Sequence, residues 1–254
     1  LVSDMDSALS WFGKLAQPVT PTPTLLLLAT FIGLGLAPMV AVVAFHRRGI
    51  GTLWGQAPVV LSDFTICAAT VGLVYGGGIA VWSWFYDTVP NIELWLWLSY
   101  LPLALLGVAV QTAAEELLFR GYLMQQLAAR FRHPVIWLLI PALIFGAAHY
   151  DPTSAGPNTW LLVGSATLFG LIAADLTVVS GSLGAAWGVH FANNVVAILV
   201  LATQGTITGL ALRLTPYDID AAQVSAGAVL TDLALILLVW LLLRRHFVMR
   251  QARG

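Results

Sequence analysis

Long apolar runs dominate the chain, each broken by a short polar or glycine- and proline-bearing segment. A helix rising 1.5 Å per residue needs about 20 mostly apolar residues to cross the hydrocarbon core of a bilayer. Eight runs meet that measure, over residues 24–45, 64–86, 94–110, 111–129, 134–150, 160–179, 183–203 and 221–243. The breaks have local causes in His46-Arg47-Arg48-Gly49, in Asp87 to Asn91 with Pro90, in Arg130 to Pro134, in Asp151-Pro152 and in Ser180-Gly181-Ser182. Residues 94–129 form 36 continuous residues without such a break, too long for one span. A tight turn near Gly107 to Gln111, hinted at by Pro102 and Gly107, is expected to divide them into two helices.

The fold class that follows is all-α, a polytopic membrane bundle of about eight transmembrane helices. One domain is expected over residues 24–248, preceded by a lead-in at 1–23 and followed by a cytoplasmic tail at 249–254. The lead-in, with Asp4, Asp6, Lys14 and the proline-rich stretch from Pro18 to Pro23, reads as amphipathic or extended. It lacks the basic start of a signal peptide. The chain does not start with Met, and a trimmed N-terminus is expected.

Composition agrees with a bilayer as solvent. The chain is 59% hydrophobic and 9% charged, where a soluble domain carries about a quarter charged residues. Eleven Lys plus Arg and a net charge of −1 provide no basic stripe, which excludes nucleic acid as a partner. The single cysteine, Cys67, excludes an internal disulfide framework and a Cys-based metal site, and reads as a buried small hydrophobe. Arg244, Arg245, Arg250 and Arg253 place the C-terminus in the cytoplasm, and eight spans put the N-terminus beside it. That assignment has Arg130 and Arg132 inside and Asp151, Asp218 and Asp220 outside, but leaves Arg47 and Arg48 on the wrong side.

Ionisable residues within spans carry the most information, because each costs roughly 2.5–3.5 kcal/mol to insert and needs a partner or a purpose. They cluster here as Glu115, Glu116 and Arg120 in the fourth run, His149 at the end of the fifth, Asp175 in the sixth, and His190, Asn193 and Asn194 in the seventh. Glu116 and Arg120 are four apart on one helix face, a spacing that favours an ion pair. Glu115 points about 100° away from that pair and is left to meet a partner on another helix. Phe145 and His149 share a face, so the ring can fix the imidazole rotamer. His190 and Asn194 share another, and together offer two donors to one point, as an oxyanion hole requires. Taken singly, the Glu/Arg pair reads as buried glue, His149 as interfacial, and the His/Asn pair as an interhelical staple. Asp175, among small neighbours, is either a group that orients His190 or His149, or an isolated interhelical bond. Asp63 and Asp232 lie near span ends and are not site candidates. Trp82, Trp84, Trp95 and Trp97 read as interfacial anchors.

Together, Glu115-Glu116-x-x-x-Arg120, Phe145-x-x-x-His149 and His190-x-x-x-Asn194, on three spans in that order, resemble the CAAX protease and bacteriocin-processing family of intramembrane endopeptidases. The resemblance covers about residues 111–200, and Ser180-Gly181-Ser182-Leu183 is similar to the turn that usually precedes the family's last motif. It implies a polar cavity built by the fourth, fifth and seventh helices, in which Glu115 and His149 hold and deprotonate a water, His190 and Asn194 stabilise the oxyanion, and Glu116 and Arg120 brace the site. The implied partner is a membrane-inserted peptide or protein, cut within the bilayer. The family is often labelled metalloprotease, and Glu115, His149 and His190 would suffice as ligands to zinc or another divalent metal. The chain lacks a His-Glu-x-x-His helix, however, and a metal-free, glutamate-activated water is the preferred reading. An Arg-over-Lys, Ala- and Leu-rich composition points to a bacterial cytoplasmic membrane.

Two other functions compete. A membrane scaffold with these residues can recognise a peptide without cutting it, as in self-immunity to bacteriocins. A proton-coupled transporter would use the acidic and His residues as a relay, but the inverted repeats or broken helices in both halves that it calls for are absent from the sequence.

Overall fold

A computed structural model of the chain describes residues 2–253. Helix α1 (Val2–Ala16) leads into α2 (Pro21–Ala44), α3 (Gly51–Trp54) and α4 (Ala57–Trp82). After strand β1 (Val89–Pro90), α5 (Leu94–Glu116) passes through a π-helical stretch, Leu117–Leu123, into α6 (Met124–Ala128). Then come α7 (Pro134–Ala147), the short α8 (Pro152–Ala155), α9 (Thr159–Ser180) and α10 (Leu183–Asn194). A second π-helical stretch, Val195–Val200, precedes β2 (Leu201–Gln204), β3 (Arg213–Asp218) and α11 (Ala222–Gln251).

Among the described residues, six helical segments are long and apolar enough to cross a membrane: Pro21–Ala44, Gly51–Trp82, Leu94–Ala128, Pro152–Ser180, Leu183–Val200 and Gly227–Gln251. The seventh apolar helix, α7, has 14 residues and a length of about 21 Å. The expected division of residues 94–129 does not occur, because Leu94–Ala128 is one helical segment. Pro102 removes one backbone donor inside the helix without ending it. Gly107 is a packing residue and not a hinge: a Cβ there would press on Leu28 of α2 at 3.0 Å.

Joining those two expected spans changes the parity of the bundle. The start of α2 and the end of α11 lie at opposite ends of the bundle. At one end, Arg48 bonds Gln125 at the close of α6, and Arg250 of α11 pairs with Asp63 of α4 and donates to the carbonyl of Ser180 closing α9. At the other, the Pro18 carbonyl preceding α2 accepts from Gly209 in the β2–β3 connection, and Asn158 donates to Ile219 beside α11. Arg47, Arg48, Arg130, Arg132, Arg244, Arg245, Arg250 and Arg253 therefore all belong to the first end. Asp87, Glu93, Asp151, Asp218 and Asp220 belong to the second. The two arginines that eight spans misplaced rejoin the others.

Close approach of the helices rests on small residues. Gly184 and Gly188, four apart on α10, lie against the Val60 and Phe64 backbone of α4, where a Cβ would collide with both carbonyl oxygens. Gly170 of α9 meets Ala142 of α7, and Gly35 of α2 meets Ala114 of α5. Without a hydrophobic driving force between helices in lipid, such dispersion contacts are the main source of association. The largest apolar cluster joins Cys67 and Val71 of α4, Leu176 of α9, Val189 of α10 and Val239, Leu243 and Phe247 of α11, with Cys67 fully buried as expected. The fold departs from a pure helical bundle at the acidic end, where β1, β3 and β2 form a small sheet in that order, antiparallel then parallel.

Candidate active site

Three motif-bearing segments meet within the bundle. Gly181, in the left-handed conformation at φ 74°, closes α9, and Ser182 caps α10 by accepting from the Gly184 N–H. His190 then follows seven residues into α10, about 10 Å from its start. Glu115 and Glu116 are the last residues of α5, and the backbone widens into the π-helical stretch directly after them. The second π-helical stretch likewise begins directly after Asn194. Such local widening is frequent at functional sites, because it re-aims side chains without breaking the helix.

The centre of the cluster is Glu116, which is fully buried. Its Oε1 accepts from Arg120 Nη1 at 2.9 Å and from His190 Nδ1 at 2.7 Å. The expected Glu116–Arg120 pair is thus present, and His190 completes it from α10. Arg120 is buried as well and uses Nη2 to reach the Gly170 carbonyl of α9 at 3.2 Å. Its guanidinium lies 4.8 Å from the Phe145 ring centroid. Because a carboxylate only accepts, His190 Nδ1 carries a hydrogen, and its Nε2 faces Glu115 Oε2 at 3.3 Å. Glu115 Oε2 has no hydrogen-bond partner, and neither does Glu116 Oε2.

His149 follows α7 and is exposed. Its Nδ1 lies 2.8 Å from the Phe145 carbonyl, which fixes the hydrogen on Nδ1 and leaves Nε2 to present a lone pair. The His149 ring sits 4.7 Å from that of Phe145, whose other contacts are Phe119, Phe169 and His190. His149 therefore joins the cluster through Phe145 and makes no ion pair with either carboxylate. Asn194 donates from Nδ2 to Gln111 Oε1 at 2.9 Å, while its Oδ1 faces Asn193 Nδ2 at 3.4 Å.

Asp175 does not belong here. Its Oδ2 accepts from Trp240 Nε1 at 2.7 Å and Arg244 Nε at 3.1 Å, tying α9 to α11. Five residues beyond Gly170, it points to a different face of α9, so the expectation that it orients His190 or His149 is not met. As for a metal, among the described residues no group of three or more His, Cys, Asp or Glu side chains is placed to hold one. His190 presents both nitrogens to carboxylates, and the Glu115, His149 and His190 set does not fit a shared ion.

Gln111, the Gly170 carbonyl and Phe169 are site components that motif reading passes over. Gln111 had a visible signal, a polar residue in an apolar run one turn before Glu115. Gly170 and Phe169 carry none, since what matters is a backbone oxygen and one ring among many.

Residues 95–196 match the family model for Type II CAAX prenyl endopeptidase Rce1-like. All three motifs lie within that range, and the resemblance they carry is shown over it. The uncharacterized protein YyaK of Bacillus subtilis (strain 168) is 32% identical over 120 residues, which are 47% of this chain and 39% of that protein. No solved structure matches.

Proposed function

We propose that the chain is an intramembrane endopeptidase that hydrolyses a peptide bond in a membrane-associated protein or peptide, with Glu115 activating the attacking water. One observation supports this most directly. Glu115 Oε2 is a buried carboxylate oxygen that makes no hydrogen bond, 3.3 Å from His190 Nε2 at the edge of the Glu116–Arg120–His190 cluster. An oxygen that costs free energy to leave unbonded is retained where a water or substrate is to be met.

Glu115 accepts a proton from water, and His149, with its lone pair on Nε2, holds the same water. The water oxygen adds to the scissile carbonyl carbon, and the carbonyl oxygen becomes an oxyanion. An Nε2–H on His190 and the remaining N–H of the Asn194 amide stabilise it. Collapse breaks the C–N bond, and the proton held by Glu115 passes to the departing amine. Glu116 and Arg120 touch no reacting atom in this scheme; they fix the His190 ring.

The basic end of the bundle faces the cytoplasm by the distribution of Lys and Arg, which puts the end of α11 inside and the start of α2 outside. A bacterial cytoplasmic membrane suits that charge pattern.

The test compares peptide termini in membranes holding the wild type or Glu115→Ala at matched abundance, with and without a strong chelator. New termini only with the wild type are expected, with a loss of at least about a hundredfold in the variant. Persistence under chelator supports the metal-free route. Identical termini in both membranes refute hydrolysis and leave peptide binding without cleavage as the function.

A further inference from the structure

A cavity of about 720 Å³ opens toward the acidic end, between α4, α9, α10 with its π-helical extension, and α11. Side chains of Thr203, Thr215 and Tyr217 from the sheet roof it. It sits directly on the candidate site along the helix axes. On α9, Ser165 lines the cavity and Phe169, one turn on, touches His190. On the α10 segment, Asn193 lines the cavity and bonds Asn194, and Ala197, seven residues and about two turns from His190, lines it too.

Two polar groups are out of place in this apolar volume. The Tyr75 hydroxyl, on a residue that is 95% buried, has the Asp232 carboxyl of α11 beside it and no other polar partner. Near it on α11 stands Asp232, the single charged residue among those that line the cavity. Among the described residues no Lys, Arg or His pairs with Asp232, although a carboxylate in a membrane span calls for a cation or a purpose. A volume of this size takes a ligand of several residues' bulk, and its one carboxylate selects a cation and rejects an anion.

We propose that this cavity is the substrate subsite beside the scissile bond, and that it takes a membrane-inserted peptide segment bearing one basic side chain among apolar neighbours. The amine pairs with Asp232, for which the described residues offer no competing cation, while Tyr75 holds that carboxylate in place. The identification as a substrate subsite rests on the proteolytic reading of the adjoining residues; the binding preference does not.

Binding is measured with the chain carrying Glu115→Gln in phosphatidylcholine nanodiscs, so that affinity is read without turnover. The probes are fluorescent 20-residue Leu/Ala transmembrane peptides with Lys, Met or Glu at each position of the turn nearest the acidic end. At one position the Lys peptide is expected to bind about tenfold tighter than the Met peptide. Asp232→Asn erases the difference, and an SDS-unfolding midpoint like that of the parent protein reports an intact fold. Asp232→Lys turns the preference to the Glu peptide, and Tyr75→Phe narrows it. Lys and Met peptides that behave alike at every position, or a Lys preference that survives Asp232→Asn, overturn the proposal. If the preference holds but the wild type cuts none of these peptides, the binding assignment stands and the proteolytic reading is the one that fails.

Discussion

Replacing Arg120 by Met removes a buried guanidinium while keeping the apolar stem. Glu116 then loses the 2.9 Å contact that balances its charge, and retains only His190 as a donor. The Gly170 carbonyl loses its side-chain donor as well. Both charged side chains are at most 1% exposed, so water cannot take over either role. Breaking a buried pair in this way costs about 3–5 kcal/mol, or two to nearly four decades in the folding equilibrium. Removing the carboxylate too, as Glu116→Gln with Arg120→Met, relieves the stranded charge, so the double variant is more stable than the sum of the single losses implies. A coupling of about 2–3 kcal/mol is expected, well above the ~0.6 kcal/mol typical of an interhelical hydrogen bond in a membrane. The assay is reversible unfolding by SDS titration in mixed micelles for the wild type, both single variants and the double. A loss below about 1 kcal/mol for Arg120→Met, or additivity within about 0.5 kcal/mol, refutes the reasoning that this cluster is desolvated and electrostatically closed.

Gly188→Ala places a Cβ against the Phe64 carbonyl of α4, and such overpacking lowers stability by about 1–3 kcal/mol in the same titration, whereas Gly76→Ala, in open space, stays within about 0.5 kcal/mol. In a Cys67→Ser background, Arg47→Cys and Arg132→Cys are labelled by a membrane-impermeant thiol reagent from the same side and Asp220→Cys from the other; any other grouping refutes the assignment of these residues to opposite ends of the bundle. The Ser154 side chain, then the Ser154 and Thr153 N–H groups, bond the Asp151 carboxyl and hold it below the usual carboxylate range. A depressed folded value means that the cap is fully present above about pH 3.9, the unfolded value, and is lost as pH falls through the folded one. Amide exchange at Thr153 and Ser154 is expected to rise over that acid range and to be fast at neutral pH in Asp151→Ala. Gln111→Leu frees the Asn194 amide to rotate, lowering kcat about tenfold with KM little changed; an equal loss from KM alone would place Gln111 in substrate binding.

The apolar runs were legible because span length is set by the bilayer, and six of them are close to the helices found. What failed was the inference that 36 apolar residues must turn back. Pro102 and Gly107 look like punctuation in a soluble chain, but a helix in lipid keeps its remaining backbone bonds because no water competes for them. Gly107 is explained only by Leu28, nearly eighty positions earlier, which no local pattern reveals. The orientation conflict over Arg47 and Arg48 was the sequence's own signal that residues 94–129 had been divided wrongly. Charge asymmetry sums over the whole chain, and it resists a local error better than hydropathy does.

Within the site, spacing revealed pairs on one helix and could not reveal pairs between helices. Glu116 and Arg120 meet as four-apart residues should, and Glu115 turns away as the helix geometry requires. Which imidazole each carboxylate meets depends on how α10 crosses α5, and that crossing depends on Gly184 and Gly188 letting α10 lie down on α4. With an alanine at either glycine the helices would separate, and the 2.7 Å and 3.3 Å contacts of His190 would open even though no motif residue had changed. Those glycines are four apart and next to the motif, so their pattern was present in the sequence. Its meaning is a distance between backbones. Asp175 illustrates the converse, since its small neighbours do mark a close contact, but the partner is Trp240 and Arg244 of α11 and the contact serves the packing of the bundle. A polar residue in a span announces that it has a partner, and only the crossing angles decide whether that partner belongs to the chemistry or to the frame that holds it.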